Sequence, residues 1–241
     1  MSQTGYTRAM AELFKKVVAA FLVVALAFLQ GQAQQRFTLI EAGTYHGQDV
    51  RLKQPATWVG VYCKDNSCRA HATRVRSTRV PDPLGDEGPK EPTGTSIEVF
   101  TREQPLFLVR GVSGSPRLLA TAFVGEWSMG AGDQRSIALS GANYTLGVEG
   151  DKLKGNPLPQ GARLIFSNGP VKQELFSVPK DGNDPHITVL WVGDLDGDGK
   201  PDLYLDSSWH YNVSHKVLWL SSLAKPGQIV GQAAFFETTG C

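Results

Sequence analysis

From residue 37 onward, apolar residues fall in short runs, often alternating with polar ones, and the runs end at Gly, Pro, Asn or Asp. Such runs, rich in Val, Ile, Thr and aromatic residues, are strand signals, because successive side chains of a strand point to opposite faces. They predict strands over 37–41, 44–52, 57–63, 69–80, 96–100, 106–109, 118–124, 135–139, 144–149, 162–167, 173–178, 186–192, 203–206, 213–220 and 233–238. Few windows carry apolar residues at helical spacing, and only 221–225 reads as a single helical turn. The predicted fold is all-β and mostly antiparallel, a sandwich or two small packed sheets.

Two stretches interrupt this pattern. Segment 81–94 holds four Pro and several charges, and reads either as an ordered loop or as a linker that subdivides the domain. Segment 152–161, with Pro157 and Pro159, is a second break. No internal repeat is found.

The first residues follow another pattern. Lys15 and Lys16 precede an uncharged, wholly apolar run of 13 residues, Val17 to Leu29, then Gly31-Gln32-Ala33. A membrane-spanning helix needs about 20 residues. A basic flank, a short apolar core and small residues at its exit form a secretory signal peptide. Residues 1–33 are expected to be a cleaved signal helix, leaving 34–241 as a single mostly β domain with no membrane span. Met10 would give the signal a flank of more usual length. The expected location is the periplasm or the medium.

Charge then narrows the partners. Loss of Arg8, Glu12, Lys15 and Lys16 takes the net charge from +1 to −1. A near-neutral chain has no general attraction for nucleic acid or anionic membranes, so no nucleic-acid partner is expected. No phosphate loop or dinucleotide fingerprint appears. Gly111-Val112-Ser113-Gly114-Ser115 misses the nucleophile-turn spacing by one residue, and no catalytic residue is assigned.

Cys63 and Cys68 flank Lys64-Asp65-Asn66-Ser67, a hairpin tip. An exported chain meets oxidising conditions, so Cys63–Cys68 is the expected disulfide. That register sets Val61 opposite Ala70 and Val59 opposite Ala72, with Trp58, Tyr62, Arg69 and His71 on the other face. Zinc held by Cys63, Cys68 and His71 is the competing reading, and it lacks a fourth ligand. Trp58 and Tyr62 beside the arginines suggest a stacking surface for an anionic glycan, against the plainer reading of an edge strand guarded by charge. The odd Cys241 has no assigned partner.

The one stretch with dense chemistry is Asp194-Leu195-Asp196-Gly197-Asp198-Gly199-Lys200-Pro201-Asp202. Calcium takes six to eight oxygen ligands, and a peptide supplies them locally only by turning tightly around the ion. Asp194, Asp196 and Asp198 at positions 1, 3 and 5 bring carboxylates inward, and Gly199 permits the turn. Lys200 offers its carbonyl at position 7, and Asp202 an oxygen at position 9. Position 12 is Leu205 where an EF-hand has Glu, and the flanks read as strands.

On these residues the segment resembles the calcium loops of FG-GAP and VCBS repeats, found in integrin-type propellers and many bacterial exported proteins. The stretch Asp206-Ser207-Ser208-Trp209-His210-Tyr211-Asn212-Val213-Ser214 and the closing Phe236-Glu237-Thr238-Thr239-Gly240-Cys241 also resemble bacterial exported proteins. The resemblance implies calcium and export, and no reaction. A single copy of the motif argues against a propeller. The expected function is that of an exported calcium-binding protein, non-enzymatic, with a glycan or protein ligand. The alternative is an exported hydrolase of envelope polymers or glycans.

Overall fold

The computed structural model describes residues 37–240 except 48, 51, 53–56, 87 and 89–91. The segment expected to be a signal peptide and Cys241 lie outside the described residues. Residues 37–240 belong to one compact unit. In chain order its strands are β1 Thr38–Ile40, β2 Gly43–Tyr45, β3 Thr57–Lys64, β4 Ser67–Val80, β5 Gly94–Val99, β6 Phe107–Arg110, β7 Arg117–Leu119, β8 Thr121–Ser128, β9 Gln134–Leu139, β10 Ala142–Glu149, β11 Arg163–Ser167, β12 Lys172–Ser177, β13 His186–Gly193, β14 Asp202–Ser208, β15 Val213–Leu220 and β16 Gly231–Thr239. A 3₁₀ turn, Ser221–Leu223, follows β15. The architecture is all-β, and every strand pair is antiparallel.

Three sheets pack together. The first runs β1-β6-β3-β4-β5-β2, with β7 also paired to β4. Its edge strands β1 and β2 are separated in sequence only by Glu41 and Ala42. Consecutive Cα atoms are about 3.8 Å apart, so so short a link requires the sheet to curl until its edges approach. Both of its faces carry buried side chains, Val61, Phe107 and Val109 on one and Trp58, Tyr62 and Leu108 on the other.

The second sheet, β16-β15-β14-β13-β8, is the middle layer. Trp191, Tyr204 and Leu218 face the curled sheet. Val189, Val192, Leu203 and Leu205 face the third sheet, β12-β11-β10-β9, and meet Leu146, Leu164 and Phe166. A sheet apolar on both faces must be covered on both. That makes three layers where the alternation pattern suggested two. Central β14 is buried at all seven positions, yet it carries Asp202, Asp206, Ser207 and Ser208. Buried polar groups require partners, and these residues mark the two polar ends of the strand.

The hairpin of β3 and β4 has the predicted register: Cys63 pairs with Cys68, Val61 with Ala70 and Val59 with Ala72. Asp65 turns the chain at φ 52°, a conformation its short polar side chain tolerates. Cys63 and Cys68 form a disulfide, so neither thiolate is available to zinc. The glycan surface expected around Trp58, Tyr62 and Arg69 is not formed. β3 lies between β4 and β6, and Trp58 and Tyr62 are 2% and 1% exposed. Tyr62 stacks on His71 and shares a hydrogen bond with Thr73 at 2.9 Å. Arg69 pairs with Glu103.

Two predicted strands end differently. The 44–52 strand stops at Tyr45, because Asp82 takes His46 Nδ1 at 2.8 Å and the Gly47 N–H at 3.2 Å. That imidazole, with the N–H groups of Leu84, Gly47 and Gly85, outweighs burial and holds the Asp82 carboxyl down at about 2. Segment 81–94 joins β4 to β5, which pair directly from Val80 and Gly94 onward, so it is a loop within one sheet. Segment 118–124 divides at Ala120: β7 stays with the first sheet and β8 crosses to the second.

Candidate metal centre

The acidic loop joins β13 to β14 in the middle layer. Both ends are fixed. The Asp194 N–H donates to the Ala120 carbonyl at 2.8 Å, and Leu195 is buried in the core beside the curled sheet. The Arg117 guanidinium donates to the Leu195 carbonyl. Gly197 and Gly199 adopt φ 87° and 80°, the left-handed conformation that lets the backbone wind tightly.

Within this turn, Asp194, Asp196 and Asp202 bring carboxylate oxygens within 4.8 Å of one another. Asp202 is buried and the other two are partly exposed. Asp194 accepts the N–H groups of Gly197 at 2.7 Å and Asp198 at 3.1 Å on Oδ1, and that of Gly199 at 2.9 Å on Oδ2. The loop thus winds about its own first carboxylate. Asp202 closes it, since its Oδ2 accepts the Leu195 N–H at 2.7 Å. Burial pushes the Asp202 carboxyl up to about 7, and the Asp196 charge adds to this against the hydrogen bonds from Ser221 and Leu195.

Asp198 and Lys200 stand apart from that trio. Asp198 Oδ1 accepts the Ser221 hydroxyl and the Lys200 N–H, each at 2.9 Å. The Lys200 ammonium is exposed, 3.9 Å from Asp198 Oδ2. Two residues absent from the motif also belong here. Ser221 and Ser222, in the 3₁₀ turn after β15, donate their hydroxyls to Asp198 and Asp202 and to Asp196 respectively. β14 and β15 pair side by side, which brings residue 221 back to the loop. Sequence spacing carries no sign of this; a Ser pair at the predicted helical turn was the only trace.

Three carboxylates this close repel by about 3 kcal/mol per pair at an effective dielectric of about 20. All donors are oxygen, and one is held beneath the loop by the fold. The site therefore suits a hard cation rather than a thiolate- or imidazole-binding metal. Comparison of the chain with protein-family models, curated proteins and solved structures finds no match.

The opposite end of β14 holds a second network. Asp206 accepts the Ser208 hydroxyl at 2.7 Å, the Ser214 hydroxyl at 2.9 Å and the His215 N–H at 3.2 Å, and lies 3.4 Å from His186 Nε2. Burial pushes its carboxyl up, but His186 and the two serine hydroxyls outweigh that and hold it down at about 2. The same contact raises the His186 pKa. His186 also lines a cavity of about 470 Å³ with Met129, Leu158 and Ile187 at its apolar side.

Proposed function

We propose that the chain is an exported protein whose β13–β14 loop binds calcium and clamps the middle sheet. The convergence of Asp194, Asp196 and Asp202 within 4.8 Å, with Asp202 buried, supports the reading. These carboxylates would hold the ion, with Asp198 and the Lys200 carbonyl as the remaining donors of the motif. A bound cation removes the repulsion and ties β13 and β14 to the turn after β15. Its role is structural, since the loop lacks the position-12 carboxylate and the flanking helices of a sensor. The Cys63–Cys68 disulfide suits the oxidising compartment that the signal sequence implies. Binding to the folded state alone stabilises by about 2.7 kcal/mol when free calcium is 100 times the dissociation constant. Chelation is expected to lower the melting temperature and added calcium to restore it; melting curves identical in chelator and in excess calcium would refute the clamp.

A hydrolase is the second reading, and the His186–Asp206 pair beside the 470 Å³ cavity favours it. A buried carboxylate that orients a histidine is the arrangement of a general base. Turnover of an envelope polymer, lost on His186→Ala, is the outcome it requires.

A further inference from the structure

Three aromatic rings rank among the exposed large hydrophobic side chains of the described residues: Phe100, Tyr211 and Phe235, at 61%, 64% and 55%. Phe100 is covered on one side by the Arg76 guanidinium, 5.3 Å from its centroid. Tyr211 stands at the end of the middle sheet remote from the acidic loop, between β14 and β15, whereas Phe235 lies midway along β16, opposite Val217 of β15.

Phe235 forms part of an organised surface. His215 pairs with Glu237 across β15 and β16, and Val217 with Phe235, so His215, Glu237 and Phe235 share one face. The His215 ring lies 5.0 Å from Trp209 and 5.2 Å from Phe235, giving a continuous row of three rings. Glu237 takes His215 Nδ1 at 3.1 Å, and Asn212 takes His210 Nδ1 at 2.6 Å beside Tyr211. Backbone bonds from Asn183 to the Trp209 carbonyl and from Tyr211 to the Asn183 carbonyl, both 2.9 Å, fix the turn that presents these rings.

Alternation of ring faces with hydrogen-bonding groups selects the occupant. A dry protein interface gathers its apolar groups at a centre depleted of charge. Here the Phe235 ring adjoins the bonded His215–Glu237 pair, whose remaining hydrogen-bonding capacity such a partner would cut off from water. A pyranose has an apolar C–H face and hydroxyls around its edge, and satisfies both. We propose that the row Trp209–His215–Phe235, with Glu237, binds a neutral saccharide chain. Sugar rings stack on Phe235 and Trp209, and Glu237 and the His215 ring bond to hydroxyl groups. The proposal gives a ligand class to the binding-protein reading and rests on it.

The test uses the calcium-loaded full mature chain with chitotetraose, cellotetraose and maltotetraose as probes, each to about 10 mM. Tryptophan fluorescence and titration calorimetry report binding. At least one probe is expected to bind saturably, and Phe235→Ala to weaken it about tenfold, the loss of one aromatic stack. Phe100→Ala, just after β5 of the first sheet, is the control and is expected to bind as the parent does. Absence of saturable binding by all three probes overturns the proposal, as does unchanged affinity in Phe235→Ala. Calcium dependence of melting is read separately on the same samples. Calcium-dependent melting without saccharide binding defeats the saccharide site alone. Saccharide binding that depends on Phe235, with calcium-independent melting, defeats the clamp alone.

Discussion

Ser221 donates both its backbone N–H, at 2.7 Å, and its hydroxyl, at 3.0 Å, to the same oxygen of Asp202. The other oxygen of that carboxylate holds the loop through Leu195 at 2.7 Å. One buried side chain thus joins three pieces of chain: the loop, the start of β14 and the turn after β15. Asp202→Asn keeps the shape but removes the charge and places an amide donor against N–H groups. We expect a loss of about 2–3 kcal/mol in chelator, the cost of stranding buried donors. The calcium-dependent rise in melting temperature is expected to disappear. Lys200→Ala, which keeps the carbonyl, is expected to preserve that rise. Thermal melts of the two variants with calcium and with chelator make the comparison.

The His186–Asp206 pair gives the fold a two-sided pH response. Asp206 is held down at about 2 in the folded chain, below its ordinary 3.8. Its contribution is present above pH 3.8 and is lost as pH falls toward 2, an amount of about 2 kcal/mol by linkage. His186 is raised by the same contact. Its contribution is complete below its ordinary value of 6.5 and is lost as pH rises through the higher folded value. Denaturant midpoints measured across pH are expected to fall on both sides. Asp206→Asn should flatten the acid limb between about pH 4 and 2. His186→Ala should make the alkaline limb shallower, while Asp202, whose carboxyl burial raises to about 7, keeps its own share of that fall.

Gly193, immediately before the loop, has no room for a side chain. An added Cβ would lie 2.3 Å from the Trp191 ring and 2.6 Å from the Ala120 carbonyl. The same carbonyl accepts the Asp194 N–H, so relief of the clash displaces the first residue of the site. Gly193→Ala is expected to cost about 1–3 kcal/mol, the usual penalty of overpacking. It should also weaken calcium binding, read by calorimetry on the folded fraction.

The Cys63–Cys68 bridge closes a small loop of sequence separation 5. Cross-linking so short a loop stabilises by about 2 kcal/mol in the chain-entropy model. The double variant Cys63→Ala, Cys68→Ala is expected to fold and to melt lower by that amount. A reducing agent should lower the parent's melting temperature and leave the variant's unchanged.

The sequence by itself determined the local features. Alternation and turn formers marked nearly every strand. Cys63 and Cys68 set the β3–β4 register, because a two-residue period leaves only one pairing that closes the bridge. The run from Asp194 to Asp202 located the acidic turn, since its glycines and carboxylates act within nine residues. Tertiary structure alone decided what depends on partners far along the chain. Trp58 and Tyr62 follow the same strand pattern whether their face is wet or covered, and only the fold brings His71, Thr73 and Thr101 against Tyr62. That β13 and β14 are covered on both faces, and by which sheets, was decided only by the fold. Ser221 reaches Asp202 only because β15 runs back beside β14, and His215 meets Phe235 only through the pairing of β15 with β16. Local periodicity carries the direction of a side chain, whereas its neighbours are chosen by the packing of distant strands.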